Sequence, residues 1–217
     1  MIKLNTCLRA ACLIVAANSQ AAIPSSDSQF WSEVDTVVRI SPEATATAIA
    51  TARFGDALPN PTLYGGGLQL DLFAGAWTFS GGVLVVGIRN PASGGQTQVN
   101  LPLCALSYSK KIGDVTISDR NRIEKLDGIP GSPSRYRNRL GIDVLTHDAG
   151  PVSHVFLNDE AFYDISNSRW NRNRAQAGFG LPLSGSSELQ VFFLRQDSRN
   201  GTPRSLNVLG TTLKIFL

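Results

Sequence analysis

The chain is poor in the residues that most chemistry requires. Among its 217 residues are three cysteines, two histidines and one methionine. Cys7 and Cys12 fall in an N-terminal leader, which leaves Cys104 with no internal partner and excludes a disulfide framework. His147 and His154 stand apart, with no spacing that would hold a metal, so neither a metal nor another cofactor is expected. Long apolar runs are missing as well. Beyond the leader none reaches the length a membrane helix needs, and no segment has the period of an amphipathic helix. Excess charge is also lacking. The formal charge is +3, and removing Lys3 and Arg9 with the leader leaves 18 basic against 17 acidic residues, or +1. That balance argues against a nucleic-acid partner. Gly65-Gly66-Gly67 has no helix after it and so is no phosphate loop.

The leader itself has export grammar. Lys3 and Arg9 precede a short apolar core over 10–17, and Ser19-Gln20-Ala21 offers small residues for cleavage after Ala21. Arg9 occupies the position where a lipoprotein box needs an apolar residue. The expected organisation is a signal peptide over 1–21 and one domain over 22–217.

That domain is written in period two. Eleven candidate strands run over 30–40, 44–54, 62–73, 76–89, 96–109, 113–126, 134–146, 152–164, 169–183, 187–197 and 204–217. Most have the length of a tilted bilayer-crossing strand rather than that of a globular one. Alternation sorts their faces. Leu68, Leu70 and Leu72 oppose Gln69 and Asp71; Ala175, Ala177, Phe179 and Leu181 oppose Arg172, Arg174 and Gln176; Leu209, Leu213 and Ile215 oppose Gly210, Thr212 and Lys214. In a soluble sandwich the apolar face would be core, whereas in a membrane barrel it meets lipid and the polar face lines the lumen. Asp119, Asn121, Asn138 and Asn173 carry the lipid-side parity and are expected near a membrane–water boundary. Trp31, Trp77, Trp170, Tyr64 and Tyr136 are girdle candidates, although several carry inner-face parity.

Tight connections alternate with longer ones rich in Gly, Pro, Asn or Ser, as in outer-membrane barrels. The expected fold is all-β, a single antiparallel up-and-down transmembrane β-barrel of about 10–12 strands. Because bacterial barrels have even strand numbers, the count is expected to resolve to ten or twelve.

The stretches Phe30-Trp31-Ser32-Glu33-Val34, Ser118 to Glu124, Arg135 to Arg139, Asn158 to Asp164, and Asn171 to Arg174 leading into Gly178-Phe179-Gly180 resemble an uncharacterised family of bacterial outer-membrane β-barrels, domain of unknown function 2490. The resemblance spans most of 30–217 and implies a Gram-negative outer-membrane barrel with lipid and the barrel-assembly machinery as partners. It supplies no catalytic residue. Barrels of this kind usually end on an aromatic residue, whereas here Phe216 is followed by Leu217.

The constellation most able to carry function is Arg120, Arg122, Arg135, Arg137, Arg139, Arg172 and Arg174 on the inner face, with Glu124, Asp143 and Glu160 among them. Guanidinium groups fork onto oxyanions and stay charged. The cluster therefore fits a narrow pore or binding lumen that prefers a small anionic solute. A closed structural barrel filled by ion pairs is the competing reading, followed by a soluble periplasmic β-barrel binding protein. An outer-membrane lipid-modifying hydrolase comes last. Ser153 and His154 are neighbours expected to point to opposite faces, so no catalytic pair and no enzyme is expected.

Overall fold

A computed structural model describes residues 26–55, 61–89, 95–147, 150–199 and 204–217. The expected leader over 1–21 lies outside the described residues, as does part of the loop over 197–204. The described chain forms β1 (Ser26–Ser41), β2 (Ala44–Phe54), β3 (Pro61–Ala74), β4 (Trp77–Arg89), β5 (Gln96–Ile112), β6 (Val115–Lys125), β7 (Ser134–Leu145), β8 (His154–Asp164), β9 (Arg169–Ser184), β10 (Ser187–Ser198) and β11 (Ser205–Phe216). Each pairs with its neighbours in sequence, and β1 meets β11 to close the barrel.

The even strand number is corrected here. Every candidate segment is one strand, giving eleven. When consecutive strands alternate in direction, an odd number leaves the first and last pointing the same way. They close as a parallel pair, from Ser26↔Ser205 to Val37↔Phe216, while the other pairings are antiparallel. Several boundaries also differ from expectation: β1 begins at Ser26, and β5 continues to Ile112 through its hairpin with β6.

Four tight connections, at 42–43, 75–76, 113–114 and 185–186, gather at one end. Gly75 and Gly113 turn with φ of 63° and 60°, in the left-handed region that side chains disfavour. Phe54, Pro61, Arg89, Gln96, Ser198 and Ser205 end or begin their strands at the opposite end, called here the loop end, where the described connections 126–133 and 165–168 also lie. The 146–153 connection breaks the pattern, since it is long yet lies at the tight-turn end. The 126–133 loop folds back on the wall: Asn100 and Asp127 exchange backbone hydrogen bonds of 2.8 and 2.9 Å. Gly128, at φ 106°, allows this, because a Cβ there would lie 2.2 Å from the Gln98 carbonyl oxygen. Leu126 and Ile129 of this loop thereby line the lumen.

The outer face is apolar as expected. Leu68, Leu72, Phe79, Leu140, Ile142, Phe179 and Leu209 are all exposed there. Aromatic pairs mark both ends: Trp77 with Tyr108 (4.9 Å) near the tight turns, and Trp170 with Tyr136 (6.2 Å) and Tyr163 (5.2 Å) near the loops. Trp31 is not a girdle residue; it is buried inside with Phe192, Leu194, Leu206 and Val208. The outward polar residues satisfy one another across strands. Asn138 donates to Asp119 (2.6 Å) and Asn121 (3.2 Å), and Asn173 donates to Asp159 (3.0 Å).

The inner face departs from a uniformly polar lining. Leu84, Val86 and Ile88 of β4 and Val99 and Leu101 of β5 project into the lumen, and Val99 is fully buried. In these strands both faces are apolar, so alternation of polarity cannot reveal which side is inside.

Candidate functional site: an arginine-lined lumen

Strands β6 to β9 carry the charge. Alternation in β6 turns Arg120, Arg122 and Glu124 inward; β7 contributes Arg135, Arg137 and Arg139, β8 contributes Glu160 and Phe162, and β9 contributes Arg172 and Arg174. Register brings them level with one another, with Arg122 opposite Arg137, Arg139 opposite Glu160, and Glu160 opposite Arg174. Like-charged neighbours in a sheet repel, so this arrangement needs carboxylates to hold it.

Two carboxylates hold most of it. Glu124 binds Arg122 and Arg135, and takes a hydrogen bond from Arg137 Nη1 at 2.6 Å. Glu160 accepts from Arg120 Nη2 (3.0 Å) and from Arg137 Nη2 at both oxygens (2.8 Å each). Arg139 Nε lies 3.3 Å away from Glu160, and Arg174 Nη1 lies 3.8 Å away. Glu124 and Glu160 are 1% and 2% exposed, and Arg137, which bridges them, is 8% exposed. Buried charge of this kind is tolerated only when paired and hydrogen-bonded.

Aromatic faces hold the rest. The Phe162 ring has the guanidinium carbons of Arg137 and Arg174 at 4.7 Å, Arg172 at 5.4 Å and Arg135 at 5.7 Å from its centroid. Arg174 also lies 5.1 Å from the Trp31 ring, linking β9 to β1, and Arg53 of β2 lies 3.8 Å from that same ring. The indole is oriented by its Nε1–H, which donates to Gln29 at 2.8 Å. Guanidinium planes favour such ring faces over bulk water less reluctantly than ammonium groups do.

All seven arginines expected from the sequence line one cavity of about 900 Å3, together with Glu124 and Glu160. Asp143 is corrected: although inward, it stands away from the arginines near the tight-turn end, 3.5 Å from His154 Nε2. Glu188 approaches the other ring nitrogen of His154 at 3.6 Å. Ser153 and His154 do not point apart as expected, because Ser153 precedes β8 and its Oγ lies 3.1 Å from His154 Nδ1. Ser153 Oγ donates to the Gly180 carbonyl at 3.2 Å. Among the described residues no cluster of His, Cys, Asp and Glu is arranged to hold a metal ion.

Three participants were absent from the expected site. Arg53 shows inward parity in the sequence but is isolated on a Thr/Ala strand, and only barrel closure brings it to the cluster. Trp31 and Phe162 look like ordinary apolar residues until their rings are seen beneath guanidinium groups.

A family model described as "Protein of unknown function (DUF2490)" matches residues 28–207. The chain belongs to that family. No curated protein matches the sequence. Among solved structures, the DUF2490 chain is similar to an anion-selective porin from Comamonas acidovorans, at 14% identity and a TM-score of 0.40, over 82% of this chain and 53% of that one. It is also similar to a loop-deletion form of OmpT, an outer-membrane protein of Vibrio cholerae, at 10% identity and a TM-score of 0.37, over 73% of this chain and 58% of that one. The DUF2490 chain thus spans little more than half the length of these barrels.

Proposed function

We propose that the chain is exported through its leader to the outer membrane of a Gram-negative cell and serves there as a passive barrel, with a narrow lumen that conducts or binds small anions. The exposed apolar side chains of β3, β4, β6, β7 and β9 support the bilayer setting, since water would not favour so continuous an apolar exterior. The observation that carries the anion preference is the charge around the cavity. Eight arginines and Lys214 line it, against Glu33, Asp35, Asp71, Glu124, Asp143 and Glu160. Among the described residues only Glu124 and Glu160 lie within ion-pairing distance of these arginines, so their stretch of lumen is strongly positive.

Planar-bilayer recording of the purified protein tests the proposal. Discrete conductance steps with a reversal potential favouring chloride over potassium are expected. Arg120→Gln and Arg139→Gln are the informative variants, because these side chains are 28% and 33% exposed and serve as outlying partners of Glu160. Both should reduce the preference. The second reading is a closed plug. It is favoured by the Arg174 guanidinium, which lies against rings from β8 and β1 and so spans lumen between non-adjacent strands. A silent bilayer would decide for it.

A further inference from the structure

Arg53 and Arg172 stand out among the lumenal arginines. No carboxylate lies within 4 Å of either among the described residues, whereas Arg120, Arg122, Arg135, Arg137, Arg139 and Arg174 each have one. The Nε–H groups of Arg53 and Arg172 are buried and have no hydrogen-bond acceptor; those of Arg120, Arg122 and Arg139 also lack one, but each of these guanidinium groups keeps a carboxylate within 4 Å. Arg174, 9% exposed, completes the group: its Nε donates to Gln196 at 2.8 Å, and its nearest carboxylate is as far off as 3.8 Å. Rings set all three in place. Arg53 and Arg174 lie against Trp31, and Arg172 and Arg174 lie against Phe162. The three line the same cavity, and their mutual repulsion is part of the electrostatics of each pair.

A guanidinium stacked on a ring keeps its in-plane donors pointing sideways, where they can form two parallel hydrogen bonds to one oxyanion. A buried donor without an acceptor is destabilising, so acceptors brought in from outside would be favoured. Glu124 and Glu160 are already engaged by the other arginines. Although Glu33 and Asp35 line the same cavity and Glu33 acts on Arg53 through its field, no carboxylate among the described residues comes within ion-pairing distance of Arg53 or Arg172.

We propose that Arg53, Arg172 and Arg174 form a seat for a compact, multiply charged oxyanion of the phosphate or sulfate type, with Trp31 beside it. This deepens the anion-preferring lumen proposed above and rests on it for its setting. The chemistry is shared by free inorganic anions and by the phosphate ester of a small solute.

The seat can be read without any conductance. The protein refolded in detergent micelles, carrying Trp77→Phe and Trp170→Phe so that Trp31 is the remaining indole, is titrated with inorganic phosphate, with sulfate and with glycerol phosphate, at ionic strength held constant by chloride. A saturable change in Trp31 fluorescence is expected with phosphate or sulfate and not with chloride. Saturation by glycerol phosphate as well as by inorganic phosphate would assign the seat to ester-borne groups; a response to the inorganic anions alone would assign it to free ions. Arg53→Gln and Arg172→Gln should each weaken binding roughly tenfold, about 1.4 kcal/mol, whereas Arg195→Gln, which removes an outward charge paired with Asp197, should leave it unchanged. Each variant is first checked for a heat-modifiable band. Should Arg172→Gln fail to fold, Arg172→Lys keeps the charge but loses the fork, and should still weaken binding. Absence of saturation, or equal loss with Arg195→Gln, overturns the seat. Conductance without saturable binding would remove the seat and leave the pore, whereas saturable binding with a silent bilayer would do the reverse.

Discussion

The inner wall built by β6 to β9 and that built by β4 and β5 fill the same lumen by opposite means. On the first, Glu124 and Glu160 are each enclosed by several guanidinium groups, so every member depends on the others. On the second, Val86, Val99 and Leu103 are buried at 3%, 0% and 7% exposure, and each contributes through its own contacts. The difference teaches that burial alone does not measure a residue's importance here. Glu124 and Val99 are almost equally hidden, yet removing one leaves stranded charge and removing the other leaves a small void.

The largest expected effect comes from deleting a shared carboxylate. Glu160→Gln leaves Arg120, Arg137, Arg139 and Arg174 without a common counter-charge, and should lose about 3–5 kcal/mol in reversible urea unfolding from lipid vesicles. Next is the outside of the barrel. Ala177 faces outward and Gln176 lines the lumen, so Ala177→Arg should cost about 2–4 kcal/mol in the same assay against little for Gln176→Arg. Equal tolerance of the two would mean that the apolar exterior does not meet lipid. On the apolar wall, Val99→Ala removes two buried carbons and should cost about 1.5 kcal/mol. A loss matching that of Glu160→Gln would erase the contrast between the walls. The smallest effect is expected at Lys125, whose 3.1 Å contact with Asp127 is half exposed. Lys125→Gln should change the unfolding free energy by no more than about 0.5 kcal/mol.

Legibility followed the same division. Where a strand sets its arginines on one face and residues such as Ile117, Ile123, Leu140 and Ile142 on the other, as in β6 and β7, the sequence already distinguishes inside from outside, and the seven arginines with Glu124 and Glu160 could be placed together. Where both faces are apolar, as in Val83-Leu84-Val85-Val86, period two carries no contrast, and the apolar wall was invisible. Asp143 was misplaced for another reason. Parity gives the face but not the height along the axis, and Asp143 lies nearer the tight turns than the arginines of its own strand. Arg53 and Trp31 needed closure of the whole sheet to reach the cluster. The strand count was read correctly segment by segment and was then distorted by an evenness rule that parallel closure evades.

The parallel contact between β1 and β11 has a consequence for how the molecule is made. Ten of its eleven strand contacts join consecutive segments, so each can grow from a nearby turn. The remaining one joins residues at opposite ends of the domain, as in Ser26↔Ser205, and no hairpin can deliver it. Until it forms, the sheet presents two raw edges able to pair with another chain. Trp31 from one edge, and Leu206 and Val208 from the other, then meet Phe192 and Leu194 of β10 on the inside. Gly210 leaves room for the Phe192 ring, which a Cβ at that position would meet at 2.2 Å. Phe192, Leu194, Leu206 and Val208 already share the β10–β11 hairpin, so what closure adds to the cluster is Trp31, and only the meeting of the two edges completes it.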